Sequence, residues 1–472
     1  MSFHKYPEYK SIDFDWLDEL PESWSVKKLK YVAGVRASGV DKHKREGEQE
    51  VKFLGTDTVY STPEISKAVQ FQLNVSTAST NDIKQFQIEA GDLLVTKDSV
   101  VPTRIADVSI IVEPMEHTIC GYHLVLIRPK PRLINPRFLF YCIKSKGANK
   151  YLLSIARGTT IIGISAQTIS GLRLPEPSLL EQSQIAQFLD HETTKIDALI
   201  REQERLIELL QEKRQAVISH AVTKGLDPDV PTKDSGVEWL GEVPAHWKVM
   251  PVKFLVSFVT SGSRGWADFY SDSGELFFRI TNLTRDSIRP KLESIQYVTP
   301  PEGSEGSRAK IKVGDILVSI TADLGSVCAA DKSIEGGYVS QHVALARPIA
   351  TLCSSNWLAY FILGNAAKEQ LLGSGYGGTK VQLSLEDIRE LVVAVPPTDE
   401  QISIAQMLDK RLQEMEALIS EAKAAMALLS ERRSALISAA VTGKIDVRNW
   451  QPPTDENAFN EEVRQTGIEA TV

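Results

Sequence analysis

The sequence predicts an α+β protein made of two pseudo-repeated domains separated by a two-helix antiparallel coiled coil. The segment from about Leu17 to Gly225 returns, in diverged form, from about Leu240 to Lys444. Each copy begins with short β-branched and aromatic runs that are broken by Gly, Pro, Asn and Asp, which indicates strands and turns. Each copy ends with about forty residues in which apolar side chains recur every seventh position, which is typical of a coiled-coil helix.

The two copies share sequence anchors in the same order. Trp16-Leu17, Pro21 and Trp24 return as Trp239-Leu240, Pro244 and Trp247. The run Gly91–Thr96 returns 223 positions on as Gly314–Ser319, whereas His123 and Arg128-Pro129 return only 219 positions on, as His342 and Arg347-Pro348. The second copy therefore lacks four residues between these anchors. Such a long period excludes a solenoid and indicates a duplicated domain with its connector.

The punctuation of the chain predicts seven segments. Proline stands just before each long helix, at Pro177 and at Pro396-Pro397, and glycine at Gly225 and Gly443 can supply a left-handed cap at each helix end. In chain order the segments are an N-terminal arm, 1–21; a first α+β domain, 22–177; a central long helix, 178–225; a linker, 226–244; a second α+β domain, 245–396; a C-terminal long helix, 397–444; and an acidic tail, 445–472.

The heptad positions predict the seam of the coiled coil. An amphipathic helix of this kind needs a partner, and the two helices of this chain are the nearest candidates. The predicted seam residues are Leu189, Ile196, Leu199, Leu206, Leu210 and Val217 in the central helix and Leu408, Met415, Leu418, Leu429 and Leu436 in the C-terminal helix. Two alternatives remain: each helix packs on its own domain as ordinary core, or the helices pair between chains.

Composition indicates an ordinary globular protein of the cytoplasm. Of the 472 residues, 42% are hydrophobic and 24% are charged. The start has no apolar core of a secretory signal, and no stretch approaches 18 uninterrupted apolar residues, so we expect no membrane contact. The four cysteines form no CxxC pair, and we expect reduced, buried thiols.

The net charge of −8 hides a basic stretch in the first copy. No acidic residue lies between Glu116 and Glu176, whereas this stretch holds Arg128, Lys130, Arg132, Arg137, Lys144, Lys146, Lys150, Arg157 and Arg173. A long basic stretch without acids is typical of a surface that binds a polyanion. The alternative is a solvated basic face, and residues 244–396 of the second copy are nearly balanced in charge.

Enzyme signatures are largely missing. The run Gly373–Lys380 resembles a P-loop, but it places Thr before Lys and so reverses the order that phosphate and magnesium binding require. His117, Cys120 and His123 have a spacing that could suggest zinc, but no fourth ligand lies nearby and the second copy keeps only His342, so we favour structural roles. We expect no metal and no cofactor.

A shared loop precedes each long helix. Arg157–Ser165, with Gly158-Thr159-Thr160, aligns with Tyr376–Ser384, with Gly377-Gly378-Thr379. Glycine and threonine in a basic loop can bring backbone N–H and hydroxyl groups close to phosphate oxygens. A tight turn that needs positive φ at Gly158 and Gly377 explains the same residues without a ligand, and both interpretations remain open.

In this order, the Trp-Leu…Pro…Trp openings, the Gly-Asp-Leu/Ile-Leu-Val runs, the Gly-Thr loops and the Glu-Gln starts of the long helices resemble the specificity (S) subunit of type I restriction-modification enzymes. The resemblance covers the chain from about Leu17 to Val447, and only the Pro175-Glu176-Pro177 boundary departs from the family's usual Pro-Pro pair. It implies two target recognition domains that each read half of a bipartite, asymmetric site in double-stranded DNA.

The resemblance further implies a non-catalytic subunit of a DNA modification and restriction system. The holoenzyme would be a type I site-specific deoxyribonuclease and adenine-specific DNA methyltransferase. Two methyltransferase (M) subunits would use S-adenosylmethionine, and restriction (R) subunits would use ATP and magnesium. A different class of function remains as the alternative: a coiled-coil scaffold whose two domains bind proteins.

Polar and basic residues near predicted strand ends and loops are the candidate DNA contacts. In the first domain they are Lys97, Arg104, Arg128, Lys144, Arg157, Thr159 and Thr160. In the second domain they are Arg279, Thr281, Asn282, Arg285, Arg308, Gly378, Thr379 and Lys380. Such side chains neutralise phosphates or read base edges in the major groove.

Overall fold

The computed structural model describes residues 4–14, 16–41, 43–300, 304–373 and 382–452. These belong to two compact units, one formed by the chain up to Gln203 together with the chain from Ala424 onward, the other by Glu204–Lys423. Among the described residues, no helix is both long and apolar enough to span a membrane.

The first unit contains a five-stranded sheet of order β4-β12-β8-β10-β6 and a three-stranded sheet of order β11-β5-β7, with three two-stranded pairs, β1-β2, β3-β14 and β9-β13. Its strands are β1 (Tyr9–Phe14), β2 (Leu17–Pro21), β3 (Ser25–Lys28), β4 (Ala33–Ala37), β5 (Gln49–Leu54), β6 (Glu64–Ile65), β7 (Asn74–Ala78), β8 (Leu93–Thr96), β9 (Asp98–Ser99), β10 (Val108–Ile111), β11 (Thr118–Cys120), β12 (Leu124–Pro129), β13 (Ile162–Gly163) and β14 (Arg173–Glu176).

Helices of the first unit cover these sheets and lead into the long central helix. They are α1 (Leu29–Val32), α2 (Thr56–Ser61), α3 (Thr80–Phe86), α4 (Pro136–Lys144), α5 (Lys146–Ile155), α6 (Ala166–Ser170) and α7 (Leu179–Lys224). The unit's large core combines buried residues of β8 and β12, such as Leu93 and Ile127, with those of α4, such as Phe138.

The second unit repeats this plan with two four-stranded sheets, β18-β25-β22-β23 and β19-β21-β20-β24, and the pairs β15-β16 and β17-β26. Its strands are β15 (Thr232–Asp234), β16 (Glu242–Pro244), β17 (Lys248–Pro251), β18 (Val256–Ser261), β19 (Tyr270–Ser271), β20 (Glu275–Phe278), β21 (Tyr297–Val298), β22 (Ile316–Ser319), β23 (Val327–Ala329), β24 (Tyr338–Val339), β25 (Val343–Pro348) and β26 (Val392–Val395). Its helices are α8 (Ser304–Ala309), α9 (Ser355–Leu363), α10 (Asn365–Gly373), α11 (Leu385–Glu390) and α12 (Thr398–Val441).

The two long helices pair with each other in opposite directions. In the first unit Asp197 of α7 lies 2.9 Å from Arg433 of α12, and in the second unit Arg214 of α7 lies 3.8 Å from Glu416 of α12. The partner on α12 therefore moves back along the chain as α7 advances. This confirms the predicted antiparallel two-helix coiled coil and the α+β fold.

The assignment to the buried seam is wrong for two residues. Leu206 and Leu418 are 40% and 48% exposed, while the neighbouring Ile419 is buried and Ile207 packs on the core. The reason is that each long helix also packs on a sheet domain, so a residue beside the heptad position, such as Ile419, takes the buried place. Leu189, Ile196, Leu210, Leu408, Met415 and Leu436 are buried, and Leu199, Val217 and Leu429 are half-buried.

The same hydrogen bonds fix each domain to a long helix. The indole Nε1 of Trp24 donates to Glu181 at 3.1 Å, and that of Trp247 donates to Glu400, also at 3.1 Å. A second pair of bonds joins α4 and α9 to the long helices, where the hydroxyls of Tyr141 and Tyr360 donate to Asp190 at 2.7 Å and Asp409 at 2.6 Å. The sequence anchors of the repeat are therefore the residues that join each sheet domain to its helix.

The long helices end as the glycine pattern predicts. Gly225 and Gly443 follow α7 and α12 and have φ of +78° and +72°, in the left-handed region that favours glycine. Space is also limiting, because a Cβ on Gly443 would lie 2.5 Å from Pro21 and one on Gly225 would lie 3.3 Å from Trp247. The predicted arm 1–21 and linker 226–244 each contain a β-hairpin, β1-β2 and β15-β16.

Candidate nucleic-acid interface

A two-stranded ribbon at one end of the five-stranded sheet brings most of the first domain's candidate residues together. β9 follows Lys97, and β13 follows the turn that begins at Arg157. Ile162 pairs with Ser99 and Gly163 with Asp98, and the backbone N–H of Ile164 donates to Lys97 O at 2.7 Å. Gly163 permits this close approach, because a Cβ there would lie 3.2 Å from Lys97 O.

The Gly-Thr turn is exposed. Residues 157–161, which include Arg157, Thr159 and Thr160, all have exposed side chains. Gly158 has φ of +133°, and a Cβ there would lie 2.0 Å from Ile161 O, so the turn itself requires glycine. The turn explanation of Gly158 is therefore sufficient by itself, while the exposed threonines leave phosphate contact as a prediction.

Arg104 lies at the other side of the ribbon. The Thr96 hydroxyl donates to Arg104 O at 2.6 Å and so ties the loop after β9 back to β8. The Arg104 guanidinium lies 4.9 Å from the ring centre of Tyr60 and 3.4 Å from Asp107, and burial raises the pKa of that carboxyl. A stacked, exposed guanidinium of this kind is pre-oriented for a flat or anionic partner.

Two candidates of the first domain lie elsewhere. Arg128 leaves the far end of β12 and makes two hydrogen bonds to the buried Asp92, at 2.9 and 2.7 Å, with Glu89 at 2.7 Å. These partners raise the pKa of Arg128 and give it a structural role. The Lys144 ammonium lies 4.9 Å from the Phe140 ring centre, and burial lowers its pKa to about 8. The structure does not bring either residue to the ribbon.

The basic stretch is partly neutralised by acids from other parts of the chain. Besides Arg128, Arg137 binds Glu64 and lies 3.5 Å from Asp190. At these two residues the basic stretch of the sequence is neutralised in the structure, because acids distant in sequence pack against them. Exposed members of the stretch such as Arg157 remain the candidates for contact with a polyanion.

The second domain's candidates divide into structural and exposed residues. Asn282 is buried and donates from Nδ2 to Lys291 O and Ser294 O, both at 2.9 Å, so it holds its own loop. Arg279 lies beside it, with a hydrogen bond to Ser294 at 3.3 Å. Thr281, Arg285 and Arg308 are exposed, and Arg285 forms a 2.5 Å ion pair with Asp323. Gly378, Thr379 and Lys380 lie outside the described residues, as does Gly377.

The histidines and cysteines take structural positions. His123 Nδ1 bonds Asp98, and His342 Nδ1 lies 3.1 Å from Thr321, at matching places in the two units. Both bonds agree with the interpretation of hydrogen-bonded histidines. Cys120, Cys142, Cys328 and Cys353 are all free and buried, and burial raises the pKa of Cys353 to about 12. The described part of the chain holds no group of three or more metal-ligating side chains.

The four-residue difference between the copies lies in one loop. Residues 97–107, eleven in number, connect β8 to β10, whereas residues 320–326, seven in number, connect β22 to β23. The longer loop carries Val100 and Val101, which are exposed and which the sequence reasoning did not select. In the sequence, this loop is indicated only by the spacing between the two copies, which falls from 223 residues at Gly91–Thr96 to 219 residues at His123.

The sequence matches the family described as the type I restriction modification DNA specificity domain, over residues 21–209 and 298–424. The type I restriction enzyme MjaVIII specificity subunit of Methanocaldococcus jannaschii is 22% identical over 460 residues, which are 95% of this chain and 98% of that protein. The type I restriction enzyme EcoKI specificity subunit of Escherichia coli K12 is 23% identical over 343 residues, which are 70% of this chain and 69% of that protein.

Solved structures show the same fold. A chain from a structure that describes complex assembly and conformational transition of the type I R-M system matches with a TM-score of 0.68 at 17% identity, covering 90% of this chain and 99% of that chain. The HsdS subunit from Thermoanaerobacter tengcongensis matches with a TM-score of 0.52 at 17% identity, covering 90% and 98%. With a family match over more than half of its length, this chain belongs to the type I restriction-modification DNA specificity family and is a non-catalytic specificity subunit with two recognition domains.

Proposed function

We propose that the two domains read the two halves of a bipartite, asymmetric DNA site. The observation that carries this proposal is the contrast within the repeat. The bonds from Trp24 to Glu181 and from Trp247 to Glu400 are the same, whereas the loops at the ribbon end differ in length and chemistry. A common frame with different reading loops suits two different half-sites.

We assign the DNA contacts in the first domain to the ribbon end, with Lys97, Arg104, Arg157, Thr159 and Thr160. In the second domain we assign them to Thr281, Arg285 and Arg308, together with Gly378, Thr379 and Lys380. Cationic side chains neutralise phosphates and make affinity depend on salt, and polar side chains read base edges. Arg128, Lys144, Arg279 and Asn282 support these loops in this proposal and do not touch DNA.

The partners that we propose are two M subunits and the R subunits of a type I complex in the cytoplasm. Relatives of similar length are subunits of such enzymes, which supports the assignment. Methylation of adenine and cleavage of DNA then belong to the other subunits, and this chain recognises the DNA sequence.

Methylation mapping of DNA exposed to the reconstituted complex tests the proposal. We expect one two-part motif with a fixed gap, protection of two patches in footprinting, and an affinity that falls steeply as salt increases. Binding that is insensitive to salt, without a methylated motif, would favour the protein-binding scaffold instead.

A further inference from the structure

Three exposed apolar side chains lie at the tip of the ribbon in the first unit. Val100 is 71% exposed, Val101 48% and Ile161 56%. Ile162 pairs with Ser99 at the end of the ribbon, and Ile161 and Val100 are the residues next to this last pair. Single exposed apolar residues are common, but a group of them at one loop tip marks a surface that contacts something else.

The tip belongs to the longer loop that distinguishes the first domain from the second. In the corresponding seven-residue loop of the second unit, Ile320 and Leu324 are buried, and Asp323 forms its ion pair with Arg285. Within the described part of the second unit, the loop 320–326 therefore offers no such apolar tip. The two domains differ in chemistry at the same place in the fold.

The surroundings of the tip fit a polyanion. The exposed runs 100–104 and 157–161 contain Arg104 and Arg157 and no acidic residue. The two nearest carboxylates are already engaged, Asp98 with His123 and Asp107 with Arg104. Exposed apolar side chains close in sequence to Arg104 and Arg157 are suited to a ligand that presents both phosphates and an apolar group.

We propose that Val100, Val101 and Ile161 recognise thymine through its C5-methyl group in the major groove. A two-stranded ribbon fits that groove, and the thymine methyl is the apolar group displayed on its floor. This inference rests on the proposed function and adds the base chemistry that the first domain reads. It predicts at least one thymine in one half-site whose methyl group contributes to affinity.

The test uses the reconstituted complex and duplexes that carry its mapped site. Each thymine is replaced singly by deoxyuridine, which keeps base pairing and removes only the methyl group. For the natural chain we expect about fourfold weaker binding at one or two positions of one half-site, from the loss of about one buried methyl group. The triple variant V100S/V101S/I161S should bind thymine and uracil duplexes equally well.

Leu133→Ser supplies the matched control, because Leu133 is an exposed apolar residue of the same unit outside the ribbon. It should keep the natural response to uracil. Equal binding of all uracil duplexes by the natural chain, or an unchanged response in the triple variant, would overturn the inference. Loss of M subunits from the triple variant in size-exclusion chromatography would also overturn it, by assigning the tip to a protein interface. Failure of the complex with the natural chain to bind even the unsubstituted duplex would instead reject the proposed function.

Discussion

Arg128 and its counterpart Arg347 each form an ion pair that stabilises a sheet domain. Each leaves the end of a central strand and meets a buried carboxylate, with guanidinium to carboxylate distances of 2.7 Å in both units. The carboxyl groups of Asp92 and Asp315 also accept backbone N–H bonds from Glu89 and Lys312, at 2.7 and 2.8 Å. The pair therefore fixes the turn before β8 and before β22.

The two copies of this ion pair should differ in their tolerance to neutralisation. Asp315→Asn leaves Arg347 without its carboxylate, and we expect a loss of about 3 kcal/mol in the free energy of unfolding. Asp92→Asn should cost less, because Glu89 stays 2.7 Å from Arg128, whereas Lys312 occupies that place in the second copy. Urea unfolding of the two variants measures the difference, and equal losses would contradict this account.

Gly443 should be less replaceable than Gly241, although both have positive φ. Gly241 has φ of +58° and open space around its Cα, so Gly241→Ala should cost about 1 kcal/mol from backbone strain alone. Gly443→Ala adds a clash with Pro21 at 2.5 Å and should cost roughly 1–3 kcal/mol more. Thermal unfolding followed by tryptophan fluorescence would show the contrast, since a Cβ on Gly443 would also lie 3.2 Å from the Trp24 ring. Equal shifts in the two variants would argue against the clash.

Lys144 should make stability increase with pH. Burial first, and Arg433 nearby second, lower its pKa to about 8 in the folded chain, against about 10.4 when unfolded. Between these values the unfolded chain holds more protons, so the free energy of unfolding rises with pH across that window. Lys144→Met should remove this contribution. Unfolding titrations of both chains at about pH 7.5 and pH 9.5 measure it, and identical pH responses would refute the shift.

At the scale of elements, the flanking prolines and glycines predicted the ends of α7 and α12 to within a few residues. The heptad repeat predicted that both segments are long helices. It placed the seam less well, because each helix must also cover a sheet domain. Ile419 packs into the second unit's core with Met415 and Leu412, so the buried face turns away from Leu418. Sequence periodicity reports the helix, whereas the direction of its buried face depends on tertiary contacts.

Adjacent substitutions on α12 test which residue faces inward. Ile419→Lys puts a charge into the core and should cost about 3 kcal/mol or more. Leu418→Lys changes an exposed side chain and should stay within about 0.5 kcal/mol of the natural chain. Chemical unfolding of both variants decides between them. The reverse order would restore the heptad assignment that placed Leu418 in the seam.

For the whole molecule, the residues shared by the two copies predicted the duplicated fold. They did so because they form the hydrogen bonds that join each sheet domain to its long helix, such as the bond from Trp24 to Glu181. The interface was predicted less well. The sequence shows no acidic residue close to Arg128 or Arg137. Their ion pairs were therefore not predicted, because the acids that form them come from distant segments of the chain. Nothing in the sequence selects Val100 and Ile161, because they are distant along the chain and each is an isolated apolar residue in a loop. Only the pairing of the neighbouring residues Ser99 and Ile162 places both at the end of one ribbon.

Both long helices belong to both compact units, so their length should set the gap between the half-sites. Inserting seven residues after Gln203 and seven before Ala424 adds about 10 Å and rotates the helix by only about 20°. We expect the methylated motif to keep both halves and to gain about three base pairs in its gap. A five-residue insertion at the same places rotates the helix by roughly 140° and should abolish methylation. Altered half-sites, or an unchanged gap after the heptad insertion, would show that the helices do not set the spacing.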